Sequence, residues 1–396
     1  MFSDLPEAPT DVADLWDSSM AERVGTMLDG ERRVAFVYRT PDTSTFRYRV
    51  SNVVDALNHD PGGTVRAGWF CDDELRALTR LVPQLDLVVV ARYPYGAALR
   101  ELIQRAEKHG VPLVFDCDDL VFDVRFAELV MSSLGKDQDV NAEWDVWFAY
   151  MGRLNASLRA CRGALTTNGT LADQLSAFVD DEVSIVPNVM NREQQAYSRA
   201  ILEHKLASGW KRSGPVTIGY FSGTPSHVRD FSVASGALAR LLDRDSDVAV
   251  RIVGYLDDLA ELERHRDRVE FLPFMHYVAL QRAIGEVEVN IAPLQHTPFN
   301  ICKSDLKYFE AAAVGTWTVA SHTPSLDDAI HDGTTGRLAK AHEWDAALAE
   351  AVDLARDTGR YAELGAAAAH AAHERWSWDS VTEPFHRALA PYVSAR

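Results

Sequence analysis

The chain has 396 residues, more than one hydrophobic core usually serves, so two domains of ordinary size are expected. Hydrophobic residues make up 47% and charged residues 25%, the proportions of a globular protein and not of a disordered one. The formal charge of −18 excludes a nucleic-acid binder built on a basic face and leaves membrane association at most peripheral.

The opening MFSDLPEAPTDVADLWD is acidic and lacks the basic start and apolar run of a signal peptide. No apolar stretch is long enough to span a bilayer, so the cytoplasm is the expected compartment. Cys71, Cys117, Cys161 and Cys302 are scattered without CxxC spacing, which predicts reduced thiols and not a disulfide framework.

RRVAFVYR (32–39) predicts a short buried strand, followed by a polar loop and by FRYRVSNVVDALNH with helical spacing. TVRAGWF, LDLVVVAR and VPLVFDCD predict further strands. Between the last two, GAALRELIQRAEKHG has helical periodicity and is closed by Gly110. Strands alternating with helices imply parallel βαβ units and a doubly wound sheet. A mostly helical stretch (141–162) precedes GALTTN and VSIVPN, both strand-like. From 192 the chain reads as a polar helix ending in the connector GWKRSGP. A second alternation follows through PVTIGYFSG, VAVRIVGY, VEFLPF, VEVNIAPL and TWTVAS. The predicted fold is α/β, two Rossmann-like doubly wound parallel-sheet domains facing across a cleft. Residues 1–190 form the first domain, 191–213 a linker region and 214–379 the second domain. A C-terminal helix in 380–396 rejoins the first. Ligands in such sheets bind beyond the carboxyl ends of the strands, so strand-to-helix turns are where function is expected.

Four turns carry suitable chemistry. In NIAPLQHTPFNICKSDLKYFEAAAVGTWTVAS (290–321), a strand and polar loop lead into a helix bearing Glu310. A carboxylate there can accept from two vicinal hydroxyls, while free amides at the helix start suit an anion. Lys303 and Lys307 can add countercharge, and Asn300, Ser304, Asp305 and Leu306 lead into the helix. In IGYFSGTPSHVRDF (218–231), Gly223 and Thr224 form a turn that lets backbone amides approach a phosphate. Ser226 is a candidate N-cap and Arg229 a candidate phosphate contact, with His227 and Asp230 candidates for capping. VPLVFDCDDLVFD (111–123) clusters Asp116, Asp118, Asp119 and Asp123. Asp118 and Asp119 read as cleft residues for a ligand's hydroxyls, a metal site or capping carboxylates being the other readings. YRTPDTSTFRYRV (38–50) interleaves Arg39, Arg47 and Arg49 with aromatics, either to grip a phosphate or carboxylate or to pair with Asp42, Asp55 or the acidic leader. Arg92 is a fifth candidate on the same side.

The 290–321 run resembles the donor-binding signature of retaining GT-B glycosyltransferases, especially family four, in which a K-x-x-E-(A/Y)-x-A-x-G helix follows the loop. Where the commoner pattern has a second glutamate eight positions earlier, this chain has Cys302. SIVPNVMN (184–191) is similar to the family's (I/V)-P-N-G-(V/I)-(D/N) segment, with Val189 for glycine. ERWSWDSVTEPFHRAL resembles its closing F-S-W-(D/E) helix. The resemblance implies a nucleotide-diphosphate sugar donor, with Glu310 on its ribose. Lys303, Lys307, Arg229 and helix-end amides would stabilise the leaving diphosphate. It implies transfer with retention, no metal and no cofactor, to a glycan, lipid-linked or small-molecule acceptor that contains sugar and carries phosphate if the arginines bind it. A sugar-nucleotide epimerase of the related fold and a non-catalytic sugar-nucleotide-binding protein are the alternatives.

Overall fold

The computed structural model describes residues 1–9, 16–223, 228–256 and 259–392. Among them, two six-stranded parallel sheets organise the chain. The first contains β1 (Arg32–Val37), β2 (Val65–Phe70), β3 (Leu87–Ala91), β4 (Leu113–Asp116), β5 (Gly163–Thr166) and β6 (Val183–Ile185) in the order β2-β1-β3-β4-β5-β6. The second contains β7 (Val216–Ser222), β8 (Val248–Gly254), β9 (Val269–Leu272), β10 (Val289–Ala292), β11 (Trp317–Ser321) and β12 (Arg337–Ala339) in the order β12-β11-β10-β7-β8-β9.

Strands covered on both faces lose the alternation of a half-solvated sheet and read as continuous apolar runs. β3, LVVVA, is such a run, with every residue buried. The helices that cover it follow the 3.6 period: helix Ala97–His109 buries Leu99, Leu102, Ile103 and Ala106 and stops at Gly110, whose φ of +67° suits a residue without a Cβ.

The span expected as a linker is mostly helix Arg192–Ala207, capped by the Asn191 side chain accepting from the Gln194 amide at 2.7 Å. It buries Gln194, Tyr197, Ser198, Ile201 and Lys205. Tyr197 and Ile201 join the same apolar core as β7 and β8. The chain returns to the first domain at Trp376, whose carbonyl accepts from the Met190 amide at 3.1 Å. Helix Thr382–Leu389 then packs on β6 and on helix Asn52–His59, with Phe385 stacked on Phe36 at 5.6 Å.

Candidate active site

In the second sheet the direction of winding reverses between β7 and β10, and in the first between β1 and β3. These switch points are where open α/β sheets hold ligands. Here both open onto one cavity of about 620 Å³. Ser222 and Gly223 from the end of β7, with Lys303, Lys307 and Glu310 beyond β10, line one wall. Tyr38 and Thr45 after β1, Arg92 after β3, and Asp118 and Asp119 after β4 line the other.

On the second-domain wall the loop after β10 is pinned from beneath. Asp230, 2% exposed, accepts from the Gln295 amide at 3.0 Å and from Asn300 Nδ2 at 2.7 Å, and faces Lys303 Nζ at 3.4 Å. Asn300 therefore fastens the loop and lies behind the cavity, outside its lining. Asp305 is also turned away: the Trp376 indole donates to it at 3.1 Å, and burial pushes its carboxyl up to about 6. Ser304 and Leu306 do line the cavity, and Ser304 Oγ accepts from Asn188 of the first domain at 3.2 Å.

Helix Leu306–Ala312 carries Lys307 and Glu310, both part of the cavity lining. Lys307 Nζ is buried with no hydrogen-bond partner among the described residues and sits 4.6 Å from the centre of the Tyr220 ring. Burial, and then the charge of Lys303, push its amine down to about 8. Glu310 is 9% exposed. Its Oε1 accepts from Arg47 at 3.2 Å, from Gln194 Nε2 at 3.2 Å and from the Tyr48 hydroxyl. No donor among the described residues reaches its Oε2.

On the first-domain wall Arg92 leaves β3 with φ +44°, a left-handed conformation that costs energy for a residue with a Cβ. It aims one nitrogen, Nη1, at Asp118 Oδ1, Asp119 Oδ2 and Thr45 Oγ1, each at 3.1 Å. Burial, and then the neighbouring Asp118, raise the Asp119 carboxyl, against the pull of Arg92 and Lys303. The rest of the aspartate run is spoken for. Asp116 makes a two-pronged bond with Arg49, both arms at 2.9 Å, and Asp123 pairs with Arg125. Among the described residues no three His, Cys, Asp or Glu side chains come together as a metal-ligand set.

The arginines read as an acceptor cluster are not brought together. Arg39 is exposed beside Asp72 at 3.7 Å. Arg47 lies in a π-helical turn, Arg47–Ser51, and is spent on Glu310. Arg49, 1% exposed, is locked to Asp116, to the Val186 carbonyl at 2.7 Å and to Asn188 at 3.0 Å. An acceptor cannot reach it without opening the core, so its role is structural. Arg229 is exposed and outside the cavity lining, touching Ser132 across the cleft. Thr224, with Ser226 and His227, lies outside the described residues. Tyr48 and Gln194 were missed. A polar Gln194 on the inward face of a helix was the available signal for one, whereas Tyr48 was read only as one of the aromatics between the arginines.

Two Rossmann-like domains that share a cavity at their switch points define the class: the fold is that of the GT-B glycosyltransferases. Residues 215–357 match the model of the family Glycosyl transferases group 1. Over 150 residues the chain is 27% identical to the GDP-mannose-dependent alpha-(1-6)-phosphatidylinositol monomannoside mannosyltransferase of Mycolicibacterium smegmatis. That match spans 36% of this chain and 39% of the relative, well under half of its length. Among solved structures, Anabaena Alr3699/HepE in complex with UDP and glucose superposes over 90% of this chain and 98% of its own, with a TM-score of 0.59 and 13% identity. Sucrose-phosphate synthase from Thermosynechococcus elongatus does so over 91% and 98%, with a TM-score of 0.57 and 14% identity.

Proposed function

We propose that this chain is a glycosyltransferase that takes a sugar nucleotide on the second-domain wall and passes the sugar to a hydroxyl held on the first-domain wall. One observation carries the reading: where both switch points meet, one cavity is lined by Lys307, whose buried amine has no hydrogen-bond partner among the described residues, and by Glu310, whose three described donors all reach a single oxygen. A diphosphate matches the amine and a ribose diol matches the carboxylate. Crystal structures of the Anabaena neighbour hold UDP-glucose, and the mycobacterial relative is named for GDP-mannose, so a nucleoside diphosphate sugar is the donor class.

In this proposal Lys303 and Lys307 stabilise the charge that builds on the leaving diphosphate, the kind of preorganised electrostatics that often dominates catalysis. Asp118 and Asp119, fixed by Arg92, hold sugar hydroxyls. The acceptor hydroxyl attacks on the face that the diphosphate leaves and passes its proton to the departing phosphate oxygen, so the configuration at the transferred carbon is retained and neither a metal nor a protein nucleophile takes part. The acceptor contains sugar. A phosphate on it finds little support here, since Arg47 and Arg49 already hold carboxylates.

The test is incubation with UDP- and GDP-sugars and a panel of glycan, lipid-linked and small glycoside acceptors, read by NMR of the product. Free nucleoside diphosphate with a glycoside of the donor's configuration is expected. An inverted glycoside refutes retention, an epimerised donor points to the epimerase alternative, and unchanged donor with tight nucleotide binding leaves a binding protein.

A further inference from the structure

We propose that Arg47 and Tyr48 of the first domain are positioning residues for the donor: reaching across the cleft, they turn Glu310 so that one oxygen is held and the other faces the cavity. The inference rests on the donor site proposed above.

Two of the three donors to Glu310 Oε1, Arg47 and Tyr48, come from the first domain, and the third, Gln194, comes from the connecting helix that packs into the second domain's core. Arg47 and Tyr48 belong to the π-helical turn after β1, and Gln194 to the connecting helix. They also bind each other. Arg47 donates to Gln194 Oε1 at 3.2 Å and to the Tyr48 oxygen at 2.5 Å, and its guanidinium lies 4.0 Å from the Tyr48 ring centre. Consecutive residues on an ordinary helix point about 100° apart and do not share a target. The wide turn, closed by the Asn52 amide on the Arg47 carbonyl, folds the arginine over the tyrosine so that both meet one oxygen.

Tyr48 is also buried on the far side of the gap. It is 4% exposed and packs edge-on against Phe309 at 6.2 Å, within the apolar cluster formed by helix Leu306–Ala312 and Trp376. Arg47 lies 4.6 Å from the Tyr277 ring of the second domain. Burial keeps the tyrosine hydroxyl protonated, so it donates to the carboxylate. A carboxylate with three donors on one oxygen has little rotational freedom left. Two of the three contacts that set its geometry toward a ribose, those of Arg47 and Tyr48, exist only while the domains are together. The donor subsite is completed by the domain that receives the sugar.

A double-mutant cycle on nucleotide binding tests this. UDP, GDP, ADP and dTDP are titrated calorimetrically into the full chain, and the nucleotide that binds is used throughout. Tyr48→Phe, which keeps the ring and loses the donated bond, should weaken binding by about 5–10-fold, the net size of an ordinary hydrogen bond. Arg47→Lys should weaken it similarly. In a Glu310→Gln background, Tyr48→Phe should change affinity by less than about twofold, because the charged acceptor is gone. Melting temperatures of Tyr48→Phe and wild type should agree within a few degrees. Variants that bind like wild type, or losses that multiply in the double variant, overturn the positioning role while wild-type binding leaves the donor site standing. A wild-type protein that binds none of the four nucleotides overturns the donor-site reading and this inference with it.

Discussion

Lys307 and Glu310 stand three positions apart on one short helix, yet different forces set their states. The amine has lost water and gained no hydrogen bond among the described residues, and burial brings it down to about 8. An anion arriving beside it favours the charged form, so nucleotide binding near pH 8 should take up protons. Affinity should be fullest below pH 8 and fall as pH rises through it, because the proton must then be drawn from a scarcer supply. Calorimetry at pH 8 in two buffers of different ionisation enthalpy reads this directly, and Lys307→Met should abolish the uptake. Zero uptake by the wild type would place the diphosphate elsewhere. For Glu310, loss of the charged acceptor in Glu310→Ala should cost about 1.5–3 kcal/mol of nucleotide binding. Unchanged affinity would remove Glu310 from the ribose. Both residues were legible in the sequence because a strand, a polar loop and a helix bearing K-x-x-E are local patterns. Tyr48 was not, since its partner is 262 positions away and only the folded chain brings them together.

The turn that follows β1 and the one that follows β4 show what local pattern leaves open. Arg47 and Arg49 were read as one cluster, but the π-helical turn sends them to separate carboxylates. Charge in a sequence does not say which acid will fold beside it. With Arg49 and Asp116 both almost wholly buried, removing one leaves the other without a partner in a dry interior. Arg49→Ala should therefore destabilise the protein by about 3–5 kcal/mol, a cost seen when buried pairs are broken. Thermal melting measures it, and a wild-type melting temperature with altered acceptor kinetics would restore the acceptor role. The aspartate run after β4 is divided in the same manner, Asp116 to Arg49, Asp118 and Asp119 to Arg92, and Asp123 to Arg125. Carboxylates with arginine partners are poor competitors for a hard cation, which prefers several oxygens free to converge. Turnover after EDTA treatment and gel filtration should be largely intact. Loss rescued only by Mg²⁺ or Mn²⁺ would turn Asp118 and Asp119 into ligands.

At the scale of the molecule, alternating strand and helix patterns were enough to predict two doubly wound sheets, because each buried strand is a short apolar run bounded by turn residues. What the pattern could not supply was strand order, which depends on contacts between segments far apart in the chain. Nor could it tell a connector from a packed helix: Arg192–Ala207 looks polar, but Tyr197 and Ile201 enter the core of the second domain. Two of the crossings between the domains lie side by side, the Met190 amide donating to the Trp376 carbonyl. After the second of these comes helix Thr382–Leu389, which sets Phe385 against Phe36 and adds Ala388 and Leu389 to the first domain's core. This placement governs the order of events during synthesis. Domains made early usually fold while the ribosome is still at work. Here β1 to β6 emerge with a gap in their apolar packing, and the piece that fills it is translated only after the whole second sheet. The first domain to be made is thus the last to be finished, and its open face must be kept from other chains until then.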